Sequence, residues 1–276
     1  MTRRAPAIAA IVLVAFAAAA YAGWRLWLKS DDLLRPVVVL RGADAAALLA
    51  PPLGARVAAA FGRGPAPAAA RPKLAALTFD DGPYPVTTPL LLQVLRDADV
   101  AATFFLIGRD AEQYPALTRA IARGGHEIAD HTLTHPDLDR LPDAGVAGEL
   151  SAGAASLERI APDPSERRLF RPPHGRYTAA TIRVAQAAGF DTILWSDDPG
   201  DWRVVPAGEL RDHLLRRATA PEIVLLHSGR LATIAALPEV IAAYRRAGFQ
   251  FVTVGELLRR VSPDQLNHPA KLPLAH

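Results

Sequence analysis

The chain has 276 residues, half of them hydrophobic, and a net charge of +3, which fits one sizeable domain with appendages and argues against disorder. With no cysteine, disulfides and thiolate ligands are excluded, and any metal must sit on His, Asp or Glu. Lysine occurs only at 29, 73 and 271 and the arginines are dispersed, so no basic stripe speaks for nucleic acid as a partner.

Behind Arg3 and Arg4, residues Ala5 to Trp24 run 20 positions without a charge. A bilayer span needs about 20 apolar residues, and the arginines would hold their end in the cytoplasm and send the rest outward. Tyr21, Trp24 and Trp27 cluster at the far end like an interfacial belt, which favours an uncleaved anchor over residues 1–29. Ala20-Tyr21-Ala22 also offers the small-x-small site of a cleaved signal peptide. Both readings export the remainder, either membrane-anchored and facing the periplasm or cell surface, or secreted. Residues 30–72, rich in Ala, Pro, Gly and Arg, read as a spacer with one short helix at Ala45–Ala50 capped by Asp44.

From residue 73 to 261 short apolar runs alternate with helix-length segments. Strands are expected at Leu74–Phe79, Thr103–Ile107, Glu127–Ala129, Leu169–Arg171, Thr192–Trp195, Ile223–Leu226 and Phe249–Val254. Helices are expected at Pro89–Ala98, Ala111–Arg123, Asp143–Ile160, Ala179–Ala188, Ala207–Ala218, Ile234–Ala247 and Gly255–Arg260. About seven βα units imply an α/β fold with a mainly parallel sheet, closed or nearly closed into a barrel, with an open doubly wound sheet as the alternative. Residues 262–276, with Pro263, Pro269 and Pro273, read as a loose tail.

Polar motifs follow the strands closely: Asp80-Asp81, His131 to His135, Arg171, Asp198 to Trp202, and His227. The C-terminal strand ends of an α/β barrel form its active face, so these distant motifs converge on one mouth. The i, i+4 spacing of His131 and His135 is expected to bring both imidazoles to one side of a helical turn. An acidic third ligand from Asp80-Asp81 completes three protein ligands with an open position, and the Gly82-Pro83 turn separates the two carboxylates into ligand and base. Such a site acidifies water and polarises a carbonyl, with a carboxylate to take a proton and His227 to return one. His126 reads as structural and His213 as a surface residue on an amphipathic helix.

These motifs, with Ala102-Thr103-Phe104-Phe105 and Gly124-Gly125-His126-Glu127, give the stretch from about Lys73 to Arg260 a clear likeness. It resembles the NodB-homology polysaccharide deacetylases, carbohydrate esterase family four. The resemblance implies a distorted (β/α)-barrel and a metal-dependent hydrolase. Such an enzyme removes N-acetyl groups from an amino-sugar polysaccharide (peptidoglycan, chitooligosaccharide-like or envelope glycan) by attack of a metal-bound water. Alternatives are an O-acetyl esterase on a polysaccharide and an amidohydrolase on a small non-sugar substrate.

By position, the resemblance makes Asp80 the base, Asp81, His131 and His135 the metal ligands, and Arg171 the arginine that orients the base. It gives Asp198, in preference to Asp201, as the acid that orients His227, and His227 as the proton donor to the departing amine. It further implies that the backbone N–H of His174 stabilises the oxyanion, that Trp202 forms the groove wall, and that Leu225 lines the pocket for the acetyl methyl. Family members usually carry Tyr where this chain has His174. Zinc suits two imidazoles and a carboxylate, and cobalt, nickel or manganese fit the same ligands.

Overall fold

The computed structural model describes residues 39–40, 73–162, 168–262, 265 and 270–271. The apolar run at residues 5–24 and the short helix expected at 45–50 lie outside them. Among the described residues no helix is long and apolar enough to cross a membrane.

A parallel sheet is built from β2 (Lys73–Asp80), β3 (Thr103–Leu106), β4 (Glu127–Asp130), β5 (Arg168–Phe170), β6 (Phe190–Ile193) and β8 (Glu222–His227), in the order β6-β5-β4-β3-β2-β8. Between the strands run α1 (Thr87–Asp97), α2 (Gly108–Gln113), α3 (Pro115–Arg123), α4 (Asp143–Ile160), α5 (Ala179–Ala187), α6 (Ala207–Arg217), α7 (Leu231–Arg246) and α8 (Val254–Arg260). The two ends of this order are joined just beyond β6. Asp197 makes a parallel bridge with Val224, and the Leu225 N–H donates to the Asp197 carbonyl at 2.9 Å. The wall therefore closes into a distorted (β/α)-barrel, and the open doubly wound alternative falls away.

Four details depart from expectation. The helix expected over 111–123 is two helices, because Pro115 lacks an N–H and restricts the backbone of Tyr114 before it (φ −125°, ψ 58°). The seventh strand, β9 (Phe249–Phe251), does not extend the wall; it pairs with Lys73–Ala75 at the start of β2, while Thr78–Asp80 pair with β3. An eight-residue strand has room for both partners. Within the segment read as spacer, β1 (Val39–Leu40) pairs antiparallel with β6. Within the segment read as tail, β10 (Ala270–Lys271) pairs antiparallel with β7 (Thr219–Ala220).

Strand alternation sorts the core into two layers. Leu74, Ala76, Phe105, Ala129, Leu169, Ile193 and Ile223 fill the barrel. Ala75, Leu77, Phe79, Phe104, Val224 and Leu226 face outward under Leu91 and Leu95 of α1 and Leu237 and Tyr244 of α7. Strands buried on both faces read as near-continuous apolar runs, which is why the sequence shows them so plainly.

Glu222 interrupts the outer layer. It is fully buried at the start of β8 and its Oε2 accepts the Thr219 N–H at 3.0 Å. Burial, reinforced by the charge of Asp197, pushes its pKa up to about 8. The unfolded chain ionises this group near pH 4.5 while the folded chain keeps it protonated to about pH 8, so stability falls as pH rises through that window. Glu222→Gln is expected to flatten that slope. Urea unfolding should show the variant more stable than wild type at pH 8, by on the order of a few kcal/mol, and level with it at pH 4.5.

Candidate active site

The barrel's inner rows turn polar toward the C-terminal strand ends. Ala76 gives way to Thr78 and Asp80 on β2, Ala129 to His131 after β4, Leu169 to Arg171 after β5, and Ile223 to Leu225 and His227 on β8. Asp80 and His227 are direct partners in the β2–β8 register.

Arg171 is the hub, with no exposed surface. Its Nη1 donates to Asp80 Oδ1 at 2.6 Å and to Thr78 Oγ1 at 2.8 Å, and Nε and Nη2 donate to the Ile193 and Leu194 carbonyls. Thr78 in turn donates its hydroxyl to the Val224 carbonyl at 2.6 Å, so this strand hydroxyl, not singled out from the sequence, both accepts from Arg171 and donates across to β8. The guanidinium also stacks 4.0 Å from the Phe105 ring centroid. Burial raises the pKa of Asp80, opposed by the charges of Arg171 and His227. A carboxylate in that balance is held in one orientation and is more basic than an exposed one.

Asp81 follows in the left-handed region (φ 68°), as does Gly82 (φ 71°), which swings its carboxylate away from the face that holds Asp80. Its Oδ1 lies 3.4 Å from His135 Nε2 and 3.8 Å from His131 Nε2. Ligand atoms of Asp81, His131 and His135 all fall within 4.8 Å of one another. The Nδ1–H of His131 donates to the Arg171 carbonyl at 2.8 Å, which leaves Nε2 as the free lone pair. Burial pushes the His131 pKa down to about 3 and lowers that of His135, so both rings are neutral donors. One carboxylate and two neutral imidazoles fit a divalent metal with open positions.

The two histidines do not share a helical turn as the spacing implied. Residues 131–137 form an irregular loop in which Thr132 (φ 69°) and His135 (φ 60°) take left-handed conformations. Local hydrogen bonds hold that shape. Asp130 Oδ1 accepts the Thr132 N–H at 2.9 Å and Thr132 Oγ1 accepts the His135 N–H at 3.0 Å. From α4, Glu149 accepts both the N–H and the hydroxyl of Thr134 at 2.8 Å. None of these braces was legible as a motif.

The same helix approaches the loop at Gly153, where an added Cβ would stand 2.4 Å from Asp130 Oδ1 and 2.9 Å from the Thr132 carbonyl carbon. Gly153→Ala is therefore expected to lower stability by about 1–3 kcal/mol and to weaken metal binding about 10–100-fold. Gly148→Ala on the same helix meets nothing within 4 Å and should instead stabilise by up to about 1 kcal/mol. Thermal melts and metal titrations of the pair check this.

His227 is oriented by Asp201 and not by Asp198. Its Nδ1–H donates to Asp201 Oδ1 at 2.7 Å, its backbone N–H to Asp201 Oδ2 at 2.8 Å, and Thr233 Oγ1 on α7 adds a third bond at 2.7 Å. Asp198 turns back on its own loop and accepts the Gly200 N–H at 2.7 Å. The physical reason is the turn at Pro199-Gly200 (Gly200 φ 71°), which places the fourth residue of the motif, and not the first, beneath β8. Burial opposes charge on His227, but the hydrogen bond and charge of Asp201, with Asp80 and Asp81, raise its pKa overall.

At the mouth, Leu225 is buried two residues below His227 on the same strand face. Trp202 is half exposed, with Arg203 5.2 Å from its ring centroid. His174 stands at the rim of the metal side, its ring edge-on to His135 with centroids 4.5 Å apart and its Nδ1 2.9 Å from Asp137 Oδ1. Its backbone is left-handed (φ 56°) and leads into Gly175, where a Cβ would strike Trp195 at 2.7 Å.

Residues 68–193 match the polysaccharide deacetylase family. The chain is 38% identical over 192 residues to a peptidoglycan-N-acetylglucosamine deacetylase of Bacillus cereus, covering 68% of this chain and 89% of that one. It is 35% identical over 187 residues to a chitooligosaccharide deacetylase of Azorhizobium caulinodans, covering 63% and 89%. Among solved structures it resembles the peptidoglycan deacetylase PdaC of Bacillus subtilis, with a TM-score of 0.61 and 30% identity over 68% of this chain and 91% of that one. Taken with the barrel and the convergence of Asp80, Asp81, His131, His135, Arg171 and His227 at its mouth, this likeness makes the chain a member of the polysaccharide deacetylase family of hydrolases.

Proposed function

We propose that this domain hydrolyses N-acetyl groups on the N-acetylglucosamine units of an envelope glycan, with peptidoglycan as the substrate and a zinc ion on Asp81, His131 and His135. The observation that carries this reading is one of placement. A buried, arginine-held carboxylate sits beside a neutral His/His/Asp donor set, with an acid-tethered histidine across the strand ladder. The relatives named for peptidoglycan and chitooligosaccharide deacetylation support the substrate class.

A bound divalent cation would supply polarisation of the acetamide carbonyl and acidification of the attacking water. Asp80, aimed by Arg171, takes the proton of that water at Oδ2, the oxygen that Arg171 leaves free. The backbone N–H of His174 stabilises the negative charge that develops on the carbonyl oxygen, a contribution of about 3–4 kcal/mol per donor in other hydrolases. His227 holds its Nδ1 proton against Asp201 and gives its Nε2 proton to the departing amine. Leu225 packs on the acetyl methyl and Trp202 on a sugar face. The apolar residues 5–24 tether the domain on the outer side of the membrane.

Acetate release from peptidoglycan glycan strands and from chitooligosaccharides, with zinc, with cobalt and with chelator, tests the reaction. Release that chelator abolishes and metal restores is expected on both, faster on peptidoglycan. Release only from O-acetylated glycan would replace the amide with an ester. No release by protein that binds metal would sink the reading. Deleting residues 1–29 is expected to move the protein from the membrane fraction to the soluble one.

A further inference from the structure

We propose that His213 is a positioning residue: it latches the base of the loop that presents Asp201 and Trp202. This rests on the deacetylase reading for its activity readout only. His213 lies on α6, directly after that loop, and its Nε2–H donates to Asp197 Oδ1 at 2.9 Å. The sequence reads His213 as surface, yet it is three-quarters buried and its partner is only 5% exposed.

Asp197 is the residue whose backbone closes the barrel, through the Leu225 N–H and the bridge to Val224. Its side chain points toward α6, where Arg217 Nε on the next turn stands 3.5 Å away. Arg217 is more than half exposed, so solvent screens it and the shorter His213 contact dominates.

Between the two latch points, residues 198–206 have no regular structure and include Pro199 and the left-handed Gly200. Nothing in that run fixes its position by secondary structure. It is held at the far side by the three hydrogen bonds to Asp201 and at its base by Asp197. Without the His213 bond Asp197 is held by its main chain alone, α6 is no longer clipped to the start of the loop, and Asp201 and Trp202 lose registration with His227 together. A hydrogen bond from a helix back to the start of the loop preceding it is a geometric clip; its energy matters less than the position it sets.

The test compares His213→Ala with His213→Gln, whose Nε2 amide reproduces the lost donor, in the full-length metal-loaded protein. Hydrogen exchange of residues 196–206 is expected to accelerate about tenfold or more in the alanine variant and to return toward wild type in the glutamine variant, with β2 and β3 unchanged. On peptidoglycan oligomers, His213→Ala should lower kcat about tenfold with the glutamine variant restoring it. In an Asp201→Asn background the alanine change should add little, because both act through one contact. Unchanged exchange at 196–206, or acceleration spread evenly over the domain, overturns the latch. A full, additive loss of kcat in the Asp201→Asn background also overturns it. If wild type releases no acetate, the deacetylase reading fails, and the exchange comparison alone decides the latch.

Discussion

Asp80→Asn should lower kcat for acetate release about 10³-fold while leaving metal affinity near wild type and lowering stability by about 1–3 kcal/mol, because the buried Arg171 loses its countercharge. Asparagine keeps a carbonyl oxygen for the Arg171 Nη1–H bond and nearly the same volume, so the hub keeps its shape although it loses the ion pair. What it removes is the oxygen that can accept a proton. The donor set on Asp81, His131 and His135 is untouched, so isothermal titration with zinc should not change. A comparable loss of metal affinity would mean that Asp80 is itself a ligand.

The companion variant Arg171→Met has a different signature. It strands a carboxylate that is only 4% exposed, and the expected cost is about 3–5 kcal/mol of stability as well as activity. Adding Asp80→Asn to Arg171→Met should recover part of that stability, because the uncompensated charge is gone, without recovering turnover.

The second large effect is expected at Asp201. Asp201→Asn should cost about 10²-fold or more in kcat and move the alkaline limb of the pH profile downward. Asp201 accepts three hydrogen bonds, from the His227 Nδ1 and backbone N–H and from Thr233, and an amide has one oxygen with which to accept them. One NH₂ group would then face donors. The sign follows from His227, whose pKa is raised in the folded protein by Asp201 against the opposing effect of burial. Without the carboxylate, burial acts less opposed, the pKa falls, and the protonated form needed to expel the amine disappears at lower pH. Asp198→Asn touches contacts within its own loop, to the Gly200 N–H and to Trp202, which the asparagine oxygen can still accept, and should cost less than about threefold. Equal effects at the two positions, or an alkaline limb that stays in place, would return the orienting role to Asp198.

Much of the barrel was legible because its strands are buried on both faces. Runs such as Leu74–Phe79 and Ile223–Leu226 need nothing beyond their own apolar content to be seen, and parallel pairing follows from the helices between them. Helix limits were less legible where proline acted. Pro115 divides one expected helix because its ring constrains Tyr114 before it. The brief pairings of Val39–Leu40 and Ala270–Lys271 carry no periodic signal at all; two residues are too few to show one.

At the site, residue types and order were readable, and geometry was not. The His131–His135 spacing suggested a helix, whereas left-handed backbone at Thr132 and His135, braced by Asp130 and Glu149, does the gathering. Asp198 and Asp201 are chemically alike and three residues apart, so only the path of the chain through Pro199-Gly200 separates them. His213 looks like any polar residue on a helix surface until Asp197 is found beneath it.

The sequence alone determined the alternation of strands and helices and the inventory of acids, imidazoles and arginine at the strand ends. Those depend on local periodicity and on side-chain chemistry, which each residue carries wherever it stands. The tertiary structure decided which carboxylate meets His227, how Asp80 and Asp81 part ways, and where the barrel closes. These are settled by backbone torsions at a few left-handed positions and by contacts between residues up to about 150 apart in the chain, which no window of sequence contains.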